Sequence, residues 1–168
     1  MKSFKEFLEE SSLSRIKSKS DKGGMAIISG SRADKSSKEN KARAKQLDRD
    51  IKGKGLPGAT KVSGRWDEKD DETGKTTKVK ERSHVVTSGK KGKRKFKKAV
   101  KALGKKYGQD AVLTQTKKTG TVSATRKGGL GKQAGKNVKR FTAGTMKPGR
   151  SSAEGDTQIK KKTFTYGK

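Results

Sequence analysis

The chain has 168 residues, and its 46 lysines and arginines against 17 aspartates and glutamates give a formal charge of +29, far beyond what solubility requires. Hydrophobic residues make up 26% and aromatics 5%, which places much of the length near the disordered class and excludes one core drawing on the whole chain. There is no cysteine, hence no disulfide framework and no thiolate metal site. No stretch approaches the ~20 apolar residues of a membrane span, and the start lacks a signal-peptide apolar run, so a soluble protein with no membrane partner is expected.

Residues 1–10, MKSFKEFLEE, read as a short amphipathic helix: Ser3 and Glu6 form a capping box, and Phe4, Phe7 and Leu8 share one face. Residues 11–24 are rich in Ser and Lys with Leu13 and Ile16 as apolar anchors, the composition of a basic linker. Met25 to Ser29 is a short apolar run between Gly24 and Gly30, as in a buried strand. A helix follows, opened by a second capping box at Ser36 and Glu39, striped by Ala44, Leu47 and Ile51, and stopped by Gly53 and Gly55 before Pro57.

Thr60 to Trp66 alternates in hydropathy, and beyond the acidic segment Asp67, Glu68, Asp70, Asp71, Glu72 the run Val79 to Thr87 is a further strand; the two suit a hairpin. The second helix is marked by Phe96, Ala99, Val100, Leu103 and Tyr107 at helical spacing, ended by Gly108. Ala111 to Leu113 and Thr121 to Thr125 read as two strands joined by a turn. The predicted fold is therefore a small α+β or α/β domain over residues 25–125, in the order β-α-β-β-α-β-β, with both helices on one sheet and basic, largely disordered termini. Residues 126–168 are predicted to be a mobile Gly- and Lys-rich arm, in which Thr163 to Tyr166 forms an edge strand or presents two rings on a tail.

The charge points to a polyanionic partner, with nucleic acid, DNA or RNA, bound non-specifically through released counterions. The predicted phosphate contacts are Lys90, Lys91, Lys93, Arg94, Lys95, Lys97 and Lys98 around the second helix start, joined by Lys132, Lys136, Lys139 and Arg140 on the arm. Backbone N–H groups at a helix start favour an anion there, whereas lysines at that position oppose the dipole when no anion is bound.

Enzymatic chemistry is not expected, and no catalytic residue, metal or cofactor is assigned. The single histidine, His84, shares its strand face with Arg82 and Val86, while Glu81 and Ser83 point to the other side, so no local Ser-His or Glu-His unit arises. The acidic segment lacks the glycine and closing glutamate of a calcium loop. Gly74-Lys75-Thr76 and Gly129-Leu130-Gly131-Lys132 lack the glycine that a phosphate-binding loop places five positions earlier.

The first eleven residues, MKSFKEFLEES, resemble the capsid-targeting propeptide of internal head proteins from T-even-like tailed phages. That propeptide ends in a Leu/Ile-x-Glu processing signal, matched here by Leu8, Glu9 and Glu10 before the small residue Ser11. The resemblance implies targeting to the prohead scaffold, cleavage by the prohead protease after Glu10, residence inside the capsid with the packaged DNA, and ejection into the host cytoplasm, where a host protein is the target. Loss of residues 1–10 removes Lys2 and Lys5 but also Glu6, Glu9 and Glu10, so the mature chain gains net positive charge. An internal head protein is thus the first expectation. The alternatives are a non-virion basic DNA- or RNA-binding accessory protein, and an injected inhibitor or enzyme acting on a host defence system.

Overall fold

The computed structural model describes residues 14–69, 73–116, 119–133, 135–149, 156–159 and 162–167. Residues 14–22 form a helix, α1. It leads into β1 (Met25–Ser29), α2 (Ser37–Gly53), β2 (Thr60–Lys69), β3 (Thr76–Thr87), α3 (Lys93–Lys106), β4 (Ala111–Thr116) and β5 (Thr119–Ala124). Beyond these lie β6 (Lys132–Gln133), β7 (Lys136–Asn137), β8 (Arg140–Pro148), β9 (Asp156–Ile159) and β10 (Lys162–Gly167).

Eight of these strands close into a barrel in the order β1-β3-β2-β9-β10-β8-β5-β4, and every pairing is antiparallel. β6 and β7 pair separately. This corrects the predicted β-α-β-β-α-β-β domain with disordered termini: the fold is mostly β, and residues 126–168 supply three of the eight barrel strands. The physical reason lies in one-sided burial. A barrel strand needs apolar groups only at alternate positions, and eight strands enclose an interior just wide enough for side chains to fill. In β8 and β10 those positions are few, and Thr, Gly and Lys between them give the composition of an arm.

Alternation along β1 divides the core in two. Ala26 and Ile28 face outward and join Leu47 and Ile51 of α2, Phe96, Val100 and Leu103 of α3, and Val86 of β3. Met25 faces inward with Val62, Val85 and Phe164. α2 opens as its sequence predicts: Ser36 Oγ accepts from the Glu39 N–H at 3.2 Å, and the Glu39 carboxylate accepts from the Ser36 N–H at 2.8 Å. α2 and α3 are tied by polar contacts, since Tyr107 Oη donates to the Asp50 carboxylate at 2.6 Å and Arg43 donates to the Tyr107 carbonyl at 2.6 Å.

The barrel interior is closed by α1. Ile16 and Ser20, four residues apart on one helix face, are both buried, Ile16 against the inner cluster. The Gln115 side-chain amide donates to Ser20 Oγ at 3.0 Å, and Tyr166 Oη donates to the Gln115 carbonyl oxygen at 2.6 Å. The predicted linker over 11–24 thus contains a plug. Gly120 faces Tyr166 so closely that a Cβ there would lie 2.7 Å from the ring, which is why β5 carries a glycine at that point.

Candidate functional site

On α2, Lys41, Ala44, Lys45 and Asp48 fall at i, i+3, i+4 and i+7, forming one stripe beside the buried Leu47 and Ile51. The stripe faces the outer surface of the barrel. On β3, Ser83 and Val85 are buried on the inner side, so Arg82 and His84 point outward. Lys61 of β2 stands opposite His84, and Ser63 opposite Arg82. Gln158 of β9 stands opposite Ser63 on its other side. Between helix and strands lies a cleft of about 560 Å³, bordered also by Lys80, a size suited to a small-molecule ligand.

His84 forms the cleft's deepest polar group, 1% exposed. Its Nε2 lies 3.2 Å from the Asp48 carboxylate, whose other oxygen is 3.4 Å from Lys61 Nζ. Neither ring nitrogen of His84 makes a hydrogen bond, and both are buried, as is Ser63 Oγ. Burial lowers the His84 pKa below the ordinary imidazole value, Asp48 opposes this, and Lys61 adds to it. The ring is therefore neutral at neutral pH.

A second titratable group, Glu81, lies on the inner side of β3 with Ser83 and Val85, opposite Gly64. Burial raises its pKa above the usual carboxylate range, with the neighbouring Ser29 hydroxyl working the other way. A raised folded-state pKa means stability that is present below the ordinary glutamate value and lost as pH rises through the folded one. Glu81→Gln is expected to raise Tm at neutral pH and to leave it unchanged near about pH 4, where wild-type Glu81 is protonated. Thermal unfolding followed by circular dichroism at both pH values checks this, and a destabilised variant at neutral pH would contradict it.

The residues predicted from sequence are placed elsewhere. Lys90 and Lys91 lie in the turn before α3, and Lys93, Arg94, Lys95, Lys97 and Lys98 are exposed along its first turns. That helix start has Gly92 as N-cap without a side-chain hydrogen bond and no acid in its first turn. Lys132 and Lys136 lie in β6 and β7, Lys139 just after them, and Arg140 at the start of β8.

The two basic groups are not brought together. Phe96 of α3 packs on Gly24 beside the Gln115 end of β4, while Arg140 pairs with Ser123, across from Val112 at the other end. Leu8, Glu10 and Ser11 lie outside the described residues, as do Asp70, Asp71 and Glu72. No described helix is long and apolar enough to cross a membrane.

Sequence reasoning missed the cleft because α2 reaches it by packing on the outer face of the sheet and β9 only through barrel closure, and neither is written in local spacing. The one legible signal was the outward face shared by Arg82 and His84.

Residues 26–167 match the family model described as the S-Adenosylmethionine lyase family. A solved structure to which the chain is similar is a phage SAM lyase in complex with S-methyl-5'-thioadenosine, at 14% identity over 71% of this chain and 85% of that one, with a TM-score of 0.38. No curated protein matches. The family match overturns three expectations: the internal head protein packed with DNA, the non-enzymatic role, and the partnership with nucleic acid, prohead scaffold and prohead protease. It favours the enzymatic alternative. The match runs from within β1 to the end of β10 and takes in α2 and α3, and on that ground the chain belongs to the S-adenosylmethionine lyase family.

Proposed function

We propose that the protein is a lyase acting on S-adenosylmethionine. The observation that carries this is the family match across every strand of the barrel. In such a reaction a carbon–sulfur bond of the sulfonium breaks with its electron pair leaving on sulfur, and the product is a neutral thioether. Neither water nor an acceptor takes part: the carbon is satisfied by a nucleophile within the substrate, such as its own carboxylate, or by loss of a proton.

A neutral thioether needs no proton as it departs. Where the substrate's own carboxylate closes on the carbon, neither a nucleophile nor a general base is required of the chain, whereas the proton-loss route needs a basic group to take the proton. The first of these routes accounts for a sequence in which a catalytic constellation was not legible. The enzyme's share is to hold the substrate in the reactive conformation and keep water away.

The purified protein incubated with S-adenosylmethionine is expected to release a methylthio-nucleoside, resolved by liquid chromatography, with no methyl acceptor present. Full recovery of S-adenosylmethionine after prolonged incubation at high enzyme concentration would sink the reading.

A separate proposal concerns residues 1–10. We infer that they form an address segment removed after Glu10, and that the protein resides in the virion. Supporting this, the signal Leu8-Glu9-Glu10 and Ser11 lies outside the family match, so removal leaves residues 26–167 intact. Amino-terminal sequencing of the natural protein from purified virions is expected to give Ser11. A start at Met1, or absence from the particle, would refute it.

A further inference from the structure

The outer cleft gathers like charges without compensating them. Lys41 and Lys45 reach it from α2, Lys61 from β2, and Lys80 and Arg82 from β3. Asp48 is held by Lys61 and faces His84, and among the described residues Lys41, Lys45, Lys80 and Arg82 make no ion pair. Mutual repulsion among cations around a concave, partly desolvated surface is relieved when an anion enters, because the cleft walls concentrate the field.

Two further groups, the Ser63 hydroxyl and the His84 imidazole, line the cleft and are buried without a hydrogen bond, His84 with only the Asp48 carboxylate 3.2 Å from its Nε2. Leaving such groups unsatisfied is costly, and a bound ligand satisfies them. Neutral His84 offers one N–H donor and one acceptor, and Ser63 offers either.

We propose that this cleft is a binding site for a small molecule carrying a carboxylate or phosphate group, with the anion seated among Lys41, Lys45, Lys80 and Arg82 and its neighbouring polar atoms on Ser63 and His84. Two sources share this chemistry. One is the carboxylate of S-adenosylmethionine, which rests on the lyase reading. The other is a separate phosphorylated ligand, favoured by the net positive charge of S-adenosylmethionine, which the cleft's cations repel.

His84 is the only histidine in the chain, so its imidazole gives one unambiguous NMR signal inside the site. Full-length protein is titrated with inorganic phosphate, with sodium chloride at matched ionic strength as control. The His84 signal is expected to move saturably with phosphate and not with chloride. The Lys45→Gln/Arg82→Gln double variant, altered at two exposed positions and checked for native circular dichroism, is expected to bind at least about tenfold more weakly. A shift equal to that of chloride, or affinity unchanged in the double variant, would overturn the proposal.

Turnover then separates the sources. A rise in KM for S-adenosylmethionine with phosphate, at unchanged kcat, places the substrate's own carboxylate in the cleft, whereas unchanged KM assigns the cleft to a second ligand. If no turnover occurs the lyase reading fails, yet the titration still decides whether the anion site exists.

Discussion

A chain ending at Lys139 is expected to lose the native fold, not merely a tail. Such a truncation removes β8, β9 and β10, which run in sequence between β5 and β2 and complete the ring. It also removes Phe164, 1% exposed within the barrel, and Tyr166, whose hydroxyl holds Gln115 and through it Ser20 of α1. What remains has two long unpaired edges at β2 and β5 and an interior open to water, the arrangement that promotes edge-to-edge association. The expected result is a protein without a cooperative urea transition, recovered mainly as aggregate. A soluble truncated chain that unfolds at the wild-type midpoint would show that the three strands contribute nothing to the fold.

The second large effect is expected at Phe96. Its ring is fully buried, anchors the first turn of α3 to the outer face of the barrel, and lies in van der Waals reach of the site where a Cβ on Gly24 would stand. Phe96→Ala removes the largest fully buried side chain of that cluster, a change that costs about 3–5 kcal/mol. Against a total stability of about 5–15 kcal/mol, this lowers Tm by roughly 10 °C or more. Phe141→Ala supplies the contrast: Phe141 is 49% exposed, and its truncation is expected to change stability by no more than about 0.5 kcal/mol. Thermal denaturation of the two variants side by side checks both, and equal losses would mean that the division into core and surface is wrong.

What the sequence disclosed depended on whether a segment buries one face or closes a ring. The helical stripe Phe96, Val100, Leu103 and the Ser36–Glu39 capping box are local patterns, and both helices stand where those patterns put them. The β2–β3 hairpin was likewise legible, since alternation and a turn are written along adjacent residues, and Thr60 pairs with Val85 through to Lys69 with Thr76. Closure was not legible. The pairing of Ser63 with Gln158 joins segments far apart in the chain, and the strand holding Gln158 has only four residues.

The candidate site suffered for the same reason, because its orphaned hydroxyl and imidazole come from different strands, and its cations are ordinary members of a lysine-rich composition. Charge drew the reading toward nucleic acid, although the number of lysines says nothing about which of them surround a cavity. The small number of apolar residues, taken as a sign of disorder, reflects instead an interior filled by a few well-placed groups such as Met25, Val85 and Phe164.

The order of strands around the ring also bears on when the protein can fold during synthesis. β2 is made early, yet one of its neighbours in the barrel is β9, and β10 must then join β9 to β8. Until residues 156–167 have left the ribosome, β1 to β5 form an incomplete sheet whose inner face is wet, with sequence-distant contacts still to be made. Closure of this barrel therefore waits for residues 156–167. The nascent chain passes that interval with its excess of like charge, which holds neighbouring chains apart while the ring is open.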